Sequence, residues 1–184
     1  MRIKQFHDAT PRLKLESYFE GRVLAWGSFE DRFGTVRRQF FVEIEGRWDG
    51  TELVLHEDFS YSDGEQQTRI WSIRPNGADG YIGRADDVIG VARGQVAGNA
   101  LNWQYDMELP VGDRQWRVHF DDWMLLQPGG VMLNRAQVSK WGLRIGEVRL
   151  FFIKPETAPE ELSRLRKPKN GALSPLPGAV SGGA

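Results

Sequence analysis

Turn signals recur along this chain at intervals that only antiparallel strands can satisfy. Asp49-Gly50 separates the alternating segment 38–48 from Leu53–Tyr61, and Asp63-Gly64 separates that segment from 67–74. Pro75-Asn76-Gly77, Gly98-Asn99, residues 110–113 and Pro128-Gly129-Gly130 punctuate the rest. Asp-Gly is a favoured hairpin pair because both central residues of a type I′ turn need positive φ, so type I′ turns are the expectation at 49–50 and 63–64. Parallel strands need a crossover of about a dozen residues or more, and the turns leave no room for one.

Period-2 alternation fills the intervals between turns, and helical periodicity is weak outside 11–20 and 159–166. An open up-and-down sheet of about ten strands twists and leaves exposed edges, which closure removes. Short local connections favour a barrel over a Greek-key sandwich. The expected fold is therefore all-β: an antiparallel up-and-down, lipocalin-like barrel of about ten strands with short helices near the termini. Residues 1–11 read as an N-terminal lead, 12–154 as the barrel domain and 155–184 as a Pro/Gly-rich tail. The tail carries a basic knot of Arg164, Arg166, Lys167 and Lys169. Its far end, 167–184, has too little apolar surface to offset ordering entropy and is expected to be disordered.

Composition excludes several chemistries. The 184 residues contain no cysteine, which removes disulfides, thiolate metal sites and a cysteine nucleophile. A net charge of −1 supplies no global field for nucleic acid. The seven Trp and ten Phe lack the basic interleaving of a base-stacking surface and read as core. No segment approaches the roughly 18 apolar residues of a membrane span. Met1 to Thr10 holds no apolar signal core, so the cytoplasm is the expected location. His7, His56 and His119 are scattered without metal-ligand spacing, so no metal is expected, and no cofactor fingerprint is present. The run Gly90 to Gly94 opens no helix that would cradle a phosphate. Asp86-Asp87 fits a turn better than a hard-cation site.

Two positions break the alternation of their own strands. Trp116, Val118, Phe120, Met124 and Leu126 share a face with Asp122, and Leu53, Leu55, Phe59 and Tyr61 share a face with Glu57. With regular pleating both carboxylates point into the barrel. A buried unpaired carboxylate costs several kcal/mol, so each needs a partner, a proton or water. Arg69, Arg135 and Arg149 are candidate partners. Three readings stay open: an internal salt-bridge network, a bulge that turns the carboxylate to solvent, or a cavity in which Asp122 or Glu57 anchors a ligand or acts as an acid/base.

Several blocks in register carry a resemblance. They are Ala25-Trp26-Gly27, Asp31-Arg32-Phe33-Gly34, Gly46-Arg47-Trp48-Asp49-Gly50, Glu57-Asp58-Phe59-Ser60-Tyr61 and Arg69-Ile70-Trp71. Further on come Ala85-Asp86-Asp87-Val88-Ile89-Gly90, Gly98-Asn99-Ala100-Leu101-Asn102-Trp103, Phe120-Asp121-Asp122-Trp123-Met124 and Asn134-Arg135-Ala136. From about Arg12 to Lys154 the chain resembles the bacterial family called domain of unknown function 3833. The resemblance implies a lipocalin-type, or calycin, barrel. Members tend to be encoded near fatty-acid-modifying enzymes, which implies an acyl-chain ligand and an accessory role in lipid modification. Many members carry a lipoprotein signal and a lipidated cysteine; this chain shows neither.

The leading expectation is a small hydrophobic ligand held in the barrel by Trp103, Tyr105, Phe120, Met124, Phe59 and Tyr61. Asp122 or Glu57 stands near its polar end, and Arg135 is a further ligand-binding candidate, or in an enzyme an orienting partner of Asp122. The alternatives are a cofactor-independent isomerase, hydratase or cyclase using Asp122 or Glu57, and a barrel filled by its own side chains that serves as a scaffold or subunit. A cavity below roughly 300 Å³ would favour the last. The pattern specifies no oligomeric state.

Overall fold

The computed structural model describes residues 1–111 and 113–157. Ten antiparallel strands close into one barrel in strict up-and-down order. They are β1 (Gly21–Asp31), β2 (Val36–Trp48), β3 (Leu53–Tyr61), β4 (Gln66–Pro75), β5 (Gly80–Arg84), β6 (Val88–Ala97), β7 (Ala100–Val111), β8 (Arg114–Leu126), β9 (Met132–Lys140) and β10 (Leu143–Ile153). The closing pair joins β1 to β10 over eight residues, from Leu24 opposite Ile153 to Asp31 opposite Gly146. Closure leaves no unpaired edge, which is the stable outcome for a sheet of this many short-linked strands.

The Asp-Gly turns are not of the expected two-residue type. Gly50 and Gly64 take positive φ, but Asp49 and Asp63 do not. Each aspartate instead turns its carboxylate onto the backbone. Asp49 accepts from the Thr51 and Glu52 amides at 2.7 and 2.8 Å, and Asp63 accepts from the Glu65 amide at 3.1 Å. At 61–65 the Gly64 amide donates to the Tyr61 carbonyl and the Tyr61 amide to the Glu65 carbonyl, a tight turn followed by a left-handed glycine. The side-chain bonds reward a longer turn than the dipeptide alone implies. The run Gly90–Gly94 lies within β6, where the ladder slips register between Ile89 and Arg93.

One end of the barrel is sealed. Leu15, Tyr18 and Phe19 recur at helical spacing and form α1 (Leu15–Phe19), which ends where Gly21 adopts φ +79°. Phe19 stacks edge-on against Phe152 at 6.0 Å between ring centroids. The Tyr18 hydroxyl donates to the Gly130 carbonyl at 3.0 Å, and the Tyr81 hydroxyl donates to Glu16 at 2.6 Å. Gly46 permits this seat: a Cβ there would lie 1.8 Å from the Phe19 carbonyl oxygen. This end is the floor. The other end, ringed by the β1–β2, β3–β4, β5–β6, β7–β8 and β9–β10 turns, is the mouth.

Helix α1 falls within the expected segment 11–20. Residues 155–157, assigned to the tail on composition, form a short 3-10 turn, with Lys154 Nζ 3.1 Å from Glu156. The segment 159–166, the basic knot and the expected disorder of 167–184 lie outside the described residues.

Candidate functional site

The inward faces of the strands enclose a cavity of about 900 Å³ running from α1 to the mouth. Leu15 and Phe19 floor it, and Trp103, Tyr105, Phe120, Met124, Phe59 and Tyr61 are all on its wall. Aromatic contacts fix much of that wall. Tyr105 stacks on Phe120 at 4.9 Å, Phe59 on Tyr61 at 5.9 Å, and Trp71 meets Trp103 and Tyr105 edge-on at 5.9 and 5.5 Å. Glycine makes room for the largest ring. Gly83 on β5 and Gly94 on β6 lie beneath Trp103, where a Cβ would come within 2.6 and 2.3 Å of the indole. The indole therefore lies against bare backbone and leaves the barrel centre open.

Both anomalous carboxylates face this cavity, as regular pleating requires. Asp122, 6% exposed, lies opposite Trp103 on β7 and Ala136 on β9, close to the floor end of β8. Its carboxylate accepts a hydrogen bond from the Asn134 side-chain amide. Burial pushes its pKa up to about 7; the Asn134 bond opposes the shift, and the charges of Asp121 and Glu57 add to it. Glu57, half-way along β3, is also pushed up to about 7 by burial. Arg69, whose guanidinium is 3.9 Å away, opposes that shift, Asp87 adds to it, and a hydrogen bond from the Trp71 indole works against it.

Arg69 is the pivot of the polar network. It sits directly opposite Glu57 on β4 and reaches Asp87, which accepts from Nε at 2.9 Å and from Nη2 at 2.7 Å. Burial works against its charge, but Glu57 and Asp87 outweigh burial and hold its pKa above the ordinary value. The guanidinium also lies 5.2 Å from the Phe59 ring centroid. Tyr105, partly buried on the cavity wall, has its phenol pKa driven well above the ordinary value by desolvation and then by Asp122. Asp86 and Asp87 lie in the β5–β6 turn, as expected, and from it Asp87 sends its carboxylate to Arg69. Among the described residues no group of three His, Cys, Asp or Glu is placed to hold a metal ion.

Arg135 is placed elsewhere, and this corrects the sequence expectation. Alternation along β9 sends Met132, Asn134, Ala136 and Val138 inward and Arg135 outward. On the outer surface Arg135 bonds Glu147 at 2.9 Å, together with Arg149 at 2.7 Å and Arg144 at 3.3 Å. Arg149 is likewise an outer-face residue, so of the three candidate partners only Arg69 meets an interior carboxylate. Asn134 and Asp87 are the site residues that sequence reasoning missed. For Asn134 the signal was present, since it occupies the inward phase of its strand one residue from Arg135.

The mouth is guarded by paired charges. Arg38 lies 3.5 Å over the Tyr61 ring and 2.8 Å from Asp63, and Arg37 is 2.7 Å from Asp31. Lys140 Nζ sits 3.4 Å over Trp116.

A closed antiparallel barrel with an apolar interior cavity and a buried acidic network is the class that the fold and the site define. Within that class the chain belongs to the family of proteins of unknown function DUF3833, whose match covers residues 1–154 and so takes in the N-terminal lead as well. No curated protein matches the chain. No helix among the described residues is long and apolar enough to cross a membrane.

Proposed function

We propose that this protein is a lipocalin-like carrier that holds one small hydrophobic, acyl-chain-like molecule inside its barrel, as an accessory to lipid modification. The cavity carries this reading. At about 900 Å³ it lies in the size range of small-molecule sites, and most of its wall is apolar. That volume weighs against a barrel filled by its own side chains. The mouth suits an apolar guest, because Phe33, Trp141 and Leu143 stand 77%, 89% and 68% exposed in or beside the β1–β2 and β9–β10 turns. Native mass spectrometry of protein purified gently from its host is expected to show one bound apolar molecule per chain, removable by solvent extraction. The extracted protein should then melt at lower temperature and recover on adding N-phenyl-1-naphthylamine, a neutral apolar probe. Empty protein as isolated that also ignores the probe would contradict the proposal.

A second reading is favoured by one observation: Glu57 and Asp122 both titrate at about 7 inside an apolar cavity. Such groups exchange protons readily at neutral pH and suit cofactor-independent isomerase, hydratase or cyclase chemistry. An enolisable apolar ketone incubated with the protein in heavy water tests it. The enzyme reading predicts deuterium uptake at the α-carbon that Asp122→Asn abolishes. Uptake no faster than in buffer leaves the carrier reading alone.

A further inference from the structure

We propose that the floor end of the cavity recognises an apolar ligand through a head group that donates hydrogen bonds, a primary ammonium or a hydroxyl, and that it rejects a carboxylate. The inference rests on the carrier reading and concerns which head group the carrier takes.

Two acceptors converge there. Asp122 faces the cavity with the Asn134 amide as its hydrogen-bond donor; the charges of Asp121 and Glu57 act on it, and among the described residues it forms no ion pair. Asn134, 6% exposed and also on the cavity wall, donates to Asp122 and to the Trp123 carbonyl and leaves its Oδ1 buried without a hydrogen-bond partner among the described residues. Burying an acceptor without a donor is unfavourable, and a ligand N–H or O–H that reaches it would recover the loss. An ammonium satisfies Asn134 Oδ1 and supplies the counter-charge that Asp122 lacks. A hydroxyl donates to Asn134 Oδ1 and accepts from protonated Asp122.

The arginines on the cavity wall are ion-paired, although Arg38 Nε, buried and 2.8 Å from Asp63, makes no hydrogen bond among the described residues. The cavity wall carries three arginines, Arg37, Arg38 and Arg69, and their guanidiniums lie 2.7, 2.8 and 2.7 Å from Asp31, Asp63 and Asp87. A fatty-acid carboxylate entering tail first would meet the paired Arg37 and Arg38 at the mouth and leave the floor-end acceptors Asp122 and Asn134 without a donor. Entering head first it would join Asp122 and Glu57 as a third anion in a low-dielectric space.

Displacement of N-phenyl-1-naphthylamine by decylamine, decanol and decanoate, each below its micelle concentration, tests this with one chain length and three heads. Decylamine and decanol are expected to displace the probe at concentrations about tenfold or more below decanoate. In Asp122→Asn, with folding checked by its melting transition, the advantage of decylamine over decanoate should shrink by about tenfold while decanol keeps its lead. In Asn134→Leu the lead of decanol should shrink. Decanoate equal to or better than decylamine on the unaltered protein overturns the head-group assignment while leaving the carrier reading in place. A ranking unmoved by both substitutions overturns the placement at Asp122 and Asn134. Failure of the probe itself to bind removes the carrier reading, and this inference with it.

Discussion

Asp122 is an acid that folding makes weaker, and that has a measurable consequence. The unfolded chain releases its proton near the ordinary value of 3.8, the folded chain only near 7, so the folded state binds the extra proton in between. Its contribution to stability therefore falls as pH rises through that window and levels off above it. Asp122→Asn removes the titration, and at pH 8 it should raise stability by on the order of 2–4 kcal/mol, with little effect at pH 4. Urea unfolding at the two pH values measures this; equal effects at both would place Asp122 in contact with water. Arg69 shows the opposite economy. Arg69→Met strands Glu57 and Asp87 and is expected to cost about 3–5 kcal/mol. Arg135→Ala, on the outer surface, should leave probe affinity unchanged. Sequence reading found Glu57 and Asp122 because a carboxylate interrupts an apolar face, a signal local to one strand. It named Arg135 and did not consider Asn134, because charge complementarity carries no phase information, and one residue along a strand is the whole difference between inside and outside.

Strands and turns were legible for a related reason. The alternation in Leu53–Tyr61 and at 116–126 matches β3 and the bulk of β8, since each strand advertises its own buried face. The turn types were less so. Asp49 and Asp63 prefer to accept backbone N–H groups, and a side-chain hydrogen bond is a competitor that dipeptide rules omit. The packing of elements was invisible to pattern, because it depends on close approaches between distant residues. Gly94 and Trp103 face each other across β6 and β7, and a methyl group at Gly94 collides with the indole. Gly94→Ala is expected to cost about 1–3 kcal/mol and to weaken probe binding, as the ring is driven into the cavity. A variant that melts like the unaltered protein and binds equally well would show that Trp103 has other room.

The described residues form a barrel plugged at one end and open at the other, wide enough that its aromatic side chains line it without filling it. That hollowness could not be read from residue counts. Seven Trp and ten Phe suit a filled barrel as well as a lined one, and the difference lies in ten strands of wall and in an indole packed closely against glycine. The most direct test compares the unaltered protein with Ala136→Phe, which places a ring on the cavity wall beside Asp122. Titration calorimetry with N-phenyl-1-naphthylamine at several temperatures should give one molecule per chain with a negative heat-capacity change, the mark of apolar burial. In Ala136→Phe, provided its melting transition stays cooperative, affinity should fall by about tenfold or more. Equal binding by both proteins, or none by the unaltered one, would contradict a ligand held inside the barrel.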